Sequence, residues 1–208
     1  MTHQATAASE YLSDEELMLR FQNDDNDAFS QIVKRYKDRL VNFLYRYTGS
    51  IDEAEDIAQD SFLRLYRLKH TYKDVGKFSS WFYTIAINQA KSLKRDKARR
   101  HAYSMNQTFG ENGKEIEYAS GDKQPDEELM ARDDTEMVQK AINLLDEKHR
   151  EIILLRDIQD MEYEEIATVL QIPVGTVKSR INRARESLKV ILEKLYKPKR
   201  RLPYTGGN

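Results

Sequence analysis

Four cations and no acid stand between Lys178 and Arg185 in the stretch QIPVGTVKSRINRAR, residues 171–185. On a helix, Val177, Ile181, Ala184 and Leu188 share one apolar stripe. Ser179, Asn182, Arg183 and Glu186 lie on the opposite face, with Lys178 and Arg180 flanking it. Arginine reads guanine with two hydrogen bonds and asparagine reads adenine, whereas flanking cations suit phosphates. The preceding YEEIATVL forms a short helix with Ile166, Ala167, Val169 and Leu170 on its apolar side, and QIP is short enough for a sharp corner. Such a helix-turn-helix places its second helix in a major groove. A solvated basic face would carry the same charge, but the short helix, the corner and the stripe together favour DNA. Gly175 stands where the second helix begins, at a cost of about 1 kcal/mol of helix propensity relative to alanine. Lacking a side chain, it lets either a phosphate approach the free N–H groups of the helix start or a neighbouring helix pack closely.

Two further groups of residues carry chemistry. In FSSWFYTIAINQAKSLKRDKARR, the aromatics Phe78, Trp81, Phe82 and Tyr83 lead into Asn88, Gln89, Lys91, Lys94 and Arg95. Rings beside cations and amides bind single-stranded nucleic acid by stacking bases and neutralising phosphates. Each ring is also a core candidate, Trp81 above all, so the loop TYKDVGK and the polar face of the basic helix are the better contact candidates. On a helix over 51–68, Ala54, Ala58, Phe62 and Leu65 face inward. Asp56, Asp60, Leu63 and Arg67 lie opposite, with Gln59 at the side. Carboxylates repel phosphate, so this face with its exposed leucine suits a protein partner unless it is merely solvated.

The elements that must position these groups are all helical. Ser13 with Glu16, and Ser50 with Glu53, have the spacing of a capping box. Helical periodicity covers DAFSQIVKRYKDRLVNFLYRYT, the 51–68 segment and a long helix from about Ser80 to Arg100. Residues 103–125 lack periodicity and gather Gly, Asn, Ser and Pro, which is linker chemistry. Periodicity resumes in TEMVQKAINLLDEKHREIILLRDI. The expectation is an all-α protein of two small helical domains, 14–102 and 134–195. A flexible acidic linker at 103–133 joins them, with a disordered arm at 1–13 and a basic disordered tail at 196–208.

Composition narrows the function classes. The 208 residues are 33% charged and 39% hydrophobic, with a formal net charge of −1 and no cysteine. Disulfides and thiolate metal sites are therefore excluded. His3, His70, His101 and His149 are scattered without an HExxH pair, and no GxxxxGK[ST] loop occurs, so no metal, cofactor or enzymatic activity is expected. No secretory signal or membrane-spanning run is found, which points to the cytoplasm. Charge is arranged in blocks: −6 over 1–27, +8 over 28–101, −7 over 102–137 and +4 over 138–208. Two basic blocks separated by an acidic one suit two polyanion-binding modules.

Taken together, DAFSQIVKRY, DEAEDIAQDSFLRLYR, FSSWFYTIAINQAK and EEIATVLQIPVGTVKSRINRARESL resemble the bacterial RNA polymerase sigma factors of the extracytoplasmic-function (ECF, group IV) class. The resemblance spans about residues 14–195 and implies a factor that brings core RNA polymerase to promoters and assists strand opening. It assigns Asp56, Gln59, Asp60 and Phe62, with the neighbouring exposed Leu63, to core polymerase. The loop from Tyr72 through Lys77 and Phe78 to Ser79 is assigned to an extruded −10 base. Asn88 and Lys91, with Lys94 and Arg95 on the same basic helix, lie near that strand. Lys178, Ser179, Asn182 and Arg183 match the −35-facing positions, and Thr176, Arg180 and Arg185 match phosphate contacts. An anti-sigma partner is implied by analogy. Two departures stand out: Thr84 where an arginine is common, and Asp146 in place of the usual proline. A stand-alone helix-turn-helix regulator is the alternative, but it leaves the Asp56/Asp60 face and the aromatic block idle.

Overall fold

The computed structural model describes residues 12–107 and 127–196, with side chains over 12–100 and 134–196. The arm before residue 12, the middle of the expected linker and the tail beyond 196 lie outside the described residues. Among the described residues, eight α-helices follow in order: α1 (Asp14–Gln22), α2 (Asn26–Thr48), α3 (Ile51–Leu68), α4 (Phe78–Gln107), α5 (Glu127–Leu144), α6 (Glu147–Ile153), α7 (Tyr163–Leu170) and α8 (Val174–Tyr196). No strand occurs among the described residues. Helices α4 and α5 each extend into the stretch expected as linker.

Local chemistry sets the helix starts. The Ser13 hydroxyl accepts from Glu16 N and the Glu16 carboxylate accepts from Ser13 N, completing the capping box that opens α1. At α3 only half of that device forms. Ser50 accepts from Glu53 N, but the Glu53 carboxylate turns away to pair with Lys97 on α4. Asp146 accepts from His149 N and opens α6. Gly49 ends α2 with φ +82°, a left-handed conformation suited to glycine.

Helix α2 packs against α1 and α3, with α4 closing the group. Leu17, Phe21, Ile32, Leu40, Phe43, Leu65 and Phe82 are buried there. Fully burying one such side chain stabilises the fold by about 1.5–3 kcal/mol. Helix α1 also fixes the segment after α3. Gln22 donates its side-chain amide to Lys69 O and Tyr72 O, while Phe78 N donates to the Glu15 carboxylate. In the second group α8 packs on α5, α6 and α7 over Ile152, Ile166, Val177 and Ile181. Beyond α6 the chain widens into one π-helical turn, Leu154–Ile158, which periodicity alone did not distinguish.

The groups also meet. Helix α4 packs on α7, and α2 on α5 and the π turn, so buried residues of both belong to one apolar cluster.

Candidate nucleic-acid and partner interfaces

The corner between α7 and α8 is built by Gln171 in the left-handed region (φ 54°, ψ 47°), followed by Pro173 just before α8. Val177, Ile181 and Ala184 are buried and Leu188 half-buried, so the apolar stripe seats α8 as its spacing required. The opposite face is open: Lys178, Ser179, Asn182 and Arg183 are exposed, and Thr176 and Arg180 are half-buried. Arg185 instead donates through two nitrogens to the carboxylate of Asp157, whose hydrogen bonding holds the guanidinium pKa above its usual value. A Cβ on Gly175 would meet nothing within 4 Å, so internal helix packing gives no reason for glycine there.

On the first group, Gln59, Phe62 and Leu63 of α3 join Phe29, Val33, Val41 and Tyr66 around an open apolar groove of about 650 Å³. Leu63 is 54% exposed. Asp56 and Asp60 are exposed on the same helix, outside the groove lining. Spacing along α3 marks its own half of this groove, whereas Phe29, Val33 and Val41 carry no such mark, because two helices must pack before their shared edge exists.

The third set divides. Tyr72 and Phe78 are buried, in edge-on contact with each other. The Tyr72 hydroxyl donates to Gly76 O, and burial, with Glu15 and Asp74 nearby, pushes its pKa up to about 12. Phe82 and Tyr83 are buried and Trp81 half-buried against Tyr72. Thr84 donates its hydroxyl to Ser80 O within its own helix. Asn88 and Arg95 are exposed and share a cleft with Lys91 and Lys94. The Lys77 ammonium and the Ser79 hydroxyl both donate to the Glu165 carboxylate, at 3.1 and 3.4 Å. Lys91 reaches Glu151 at 2.9 Å and Lys94 reaches Glu147 at 2.8 Å. These partners lie 53 to 88 residues away in the chain, and no local signal marks them. Among the described residues, no group of side chains suited to a metal ion is present.

Comparison with known proteins decides the family. Residues 32–100 match Sigma-70 region 2 and residues 135–188 match Sigma-70, region 4. The RNA polymerase sigma-H factor of Pseudomonas aeruginosa is 36% identical over 183 residues, covering 88% of this chain and 95% of the relative. The ECF RNA polymerase sigma factor SigW of Bacillus subtilis is 35% identical over 174 residues, covering 82% and 92%. The chain belongs to the ECF sigma factors. A solved structure of the sigma factor RpoE with the anti-sigma factor NepR from Bartonella quintana aligns at TM-score 0.63 and 25% identity, over 79% of this chain and 96% of that one.

An ECF sigma factor directs RNA polymerase to promoters, and the stand-alone regulator is not favoured, because both sigma regions match in order on one chain. No helix among the described residues is long and apolar enough to cross a membrane.

Proposed function

We propose that this ECF sigma factor works without catalysis of its own, using three surfaces in one initiation event. Two domains, 14–102 and 134–195, carry them. The α3 face, with Asp56, Gln59, Asp60, Phe62 and Leu63, joins core polymerase, the apolar groove taking a complementary side chain and the acidic residues steering a basic one. The open face of α8 reads the duplex −35 element through Lys178, Ser179, Asn182 and Arg183. Thr176, Arg180, Arg185 and the bare backbone at Gly175 take phosphates. The loop from Tyr72 to Ser79 captures a −10 base as the strands part, with Lys77 and Ser79 at its rim and the buried Tyr72 and Phe78 shaping it. Asn88, Lys91, Lys94 and Arg95 track that strand. Capture offsets part of the unstacking cost of a few kcal/mol.

The protein acts in the cytoplasm, with no cofactor, and the polymerase performs the chemistry. An anti-sigma protein is the expected antagonist, as NepR is for the Bartonella factor. The observation that carries the reading is the pairing on one chain of an open cationic recognition helix with an open apolar groove flanked by acids.

The test is run-off transcription with purified core polymerase on a promoter library. Core-dependent initiation is expected. Its absence, together with no core binding, would sink the proposal. Asp60→Arg is expected to lose core binding while duplex −35 binding persists.

A further inference from the structure

The loop assigned to the −10 base, Tyr72 to Ser79, is exposed at its tip and held at both ends by one helix. Residues 73–77 are exposed, Val75 by 89%. At the first end the Gln22 side-chain amide donates to Lys69 O at 2.7 Å and to Tyr72 O at 2.9 Å. At the second end Phe78 N donates to the Glu15 carboxylate at 2.8 Å. We propose that α1 is the frame of this loop, with Glu15 and Gln22 as positioning residues that set the −10 preference without touching DNA. The proposal rests on the sigma-factor reading and on the loop assignment within it, and names the residues that give the loop its shape.

Glu15 and Gln22 stand seven positions apart, two turns or about 10 Å along α1, and so share one face. Each is chemically matched to the end it holds. The Gln22 amide has two N–H groups for the two carbonyls that bracket the 3₁₀ turn Lys69–Thr71. Glu15 reaches the first turn of α4, 63 residues on, where free N–H groups favour an anion. The turn is also tied back in the other direction. Lys69 is 8% exposed, and its ammonium donates to Phe21 O at 3.3 Å and to the Asp24 carboxylate, over the Phe21 ring. An ammonium so enclosed is costly without partners, which makes this a built junction.

The frame is itself fixed. The Asp14 carboxylate accepts from the Arg35 guanidinium at 2.7 Å and from the Tyr36 hydroxyl at 2.6 Å, both on α2. Leu17, Met18 and Phe21 are fully buried beneath it. Within the loop, the Tyr72 hydroxyl donates to Gly76 O at 3.3 Å and acts as a strut. The first turn of α1 carries Asp14, Glu15 and Glu16, and carboxylates repel phosphate. The influence of α1 on a strand therefore runs through the loop. A loop whose ends are fixed beforehand loses less freedom when a base enters, and it presents its rim in one shape. Slack ends would let the same rim accept several bases.

The test uses holoenzyme assembled from the full chain and core polymerase, on a promoter library with a fixed −35 element and a randomised −10 element. The readout is the run-off transcript ratio between preferred and disfavoured bases at each −10 position. Two near-isosteric swaps have opposite expected outcomes. Gln22→Glu keeps the shape but turns a double donor into an acceptor facing two carbonyls. It is expected to lower the ratio at one −10 position about fivefold, the effect of one hydrogen bond of ordinary strength. Glu15→Gln keeps an acceptor for Phe78 N and is expected to hold the parental ratio. Glu15→Ala removes that acceptor and is expected to lose the preference as Gln22→Glu does. Affinities for core polymerase and for the −35 duplex are expected to stay parental in all three, which a general loss of stability would not allow.

Circular dichroism reports folding. Where Gln22→Glu does not fold, the Glu15 pair decides, and loss of the fold in both Gln22→Glu and Glu15→Ala overturns the proposal. So does an unchanged ratio in Gln22→Glu, a ratio that falls together with core and duplex affinity, or like behaviour of Glu15→Ala and Glu15→Gln. The parent separates this proposal from the reading beneath it. No core-dependent initiation, or no base preference across the −10 element, removes that reading and the frame with it. A parent that discriminates, beside a Gln22→Glu that discriminates equally, removes the frame alone.

Discussion

The cationic face of α8 and that of α4 use the same residue types and differ in what surrounds them. On α8, Lys178, Asn182 and Arg183 point to solvent, and of the assigned residues Arg185 is the one given an acidic partner, Asp157. On α4 and the loop before it, Lys77, Lys91 and Lys94 each meet a carboxylate from a distant helix. Exposed ion pairs such as Lys94–Glu147 contribute only about 0–1 kcal/mol each. The grip of the α4 contact therefore comes from its enclosed members, Glu151, Tyr47 and the apolar packing behind them. One face depends on its own local motif, and the other depends on the whole molecule.

The strongest way to break this contrast is Val177→Asp. Val177 is fully buried beneath α8, and an unpaired carboxylate there should cost several kcal/mol. Helix α8 should lose its seat and duplex binding should vanish, while the α2–α3 groove survives. Loss of duplex binding with retained core binding, read in parallel titrations, checks it.

Arg183→Ala comes next, with an expected loss of about 1–3 kcal/mol in duplex affinity and relaxed preference at one base pair. Lys91→Ala should leave duplex affinity unchanged. A competition series over single-base variants of the −35 duplex separates the two.

A smaller effect follows from acid. The Lys94 ammonium, hydrogen-bonded to Glu147, holds that carboxyl below its ordinary value of 4.5, with help from the Tyr47 hydroxyl and the charge of Lys91. A depressed acid stabilises the contact at neutral pH and loses that contribution as pH falls through the lowered value. The contact between the helix groups should thus hold from neutral down to about 4.5 and loosen only below it, as read by amide hydrogen exchange at the end of α2. Lys94→Ala should move the Glu147 carboxyl titration, read by carbon NMR, back toward 4.5.

The smallest effect is that of Gly175→Ala. With nothing within 4 Å of an added Cβ, stability should stay level or rise by up to about 1 kcal/mol. Duplex affinity should fall a few-fold if a phosphate approaches that backbone. Unchanged affinity in a salt-controlled titration would remove phosphate approach as the reason for the glycine.

The same contrast explains what could be read from the chain alone. Helix α3 was expected at 51–68 and runs Ile51–Leu68, because its Ser50 cap and inward stripe are local. The stripe of α8 was legible for the same reason. The Ser13 box formed in full, while at Ser50 the glutamate found Lys97, a partner 44 residues on that outcompeted the local hydrogen bond. Helix α4 begins at Phe78, two residues before the expected Ser80, as Phe78 packs among Tyr36, Tyr72 and Phe82. Glu147, Glu151 and Glu165 carried no mark in the sequence, since an acid on a helix reads as solvated until tertiary packing supplies a lysine. The cations of the α4 face were legible in residue type, and their carboxylate partners were not.

The end of α2 has a further consequence. Its carbonyls at Arg46 and Tyr47 are completed by Gln139 and Arg150, about a hundred positions downstream. A fragment cut between the two helix groups would lose both of those donors and leave the flank of Tyr47 bare. The N-terminal half expressed alone is therefore a different physical object from the same residues in the intact chain. Its solubility would describe the fragment, with a last turn that has lost those donors, rather than the whole molecule.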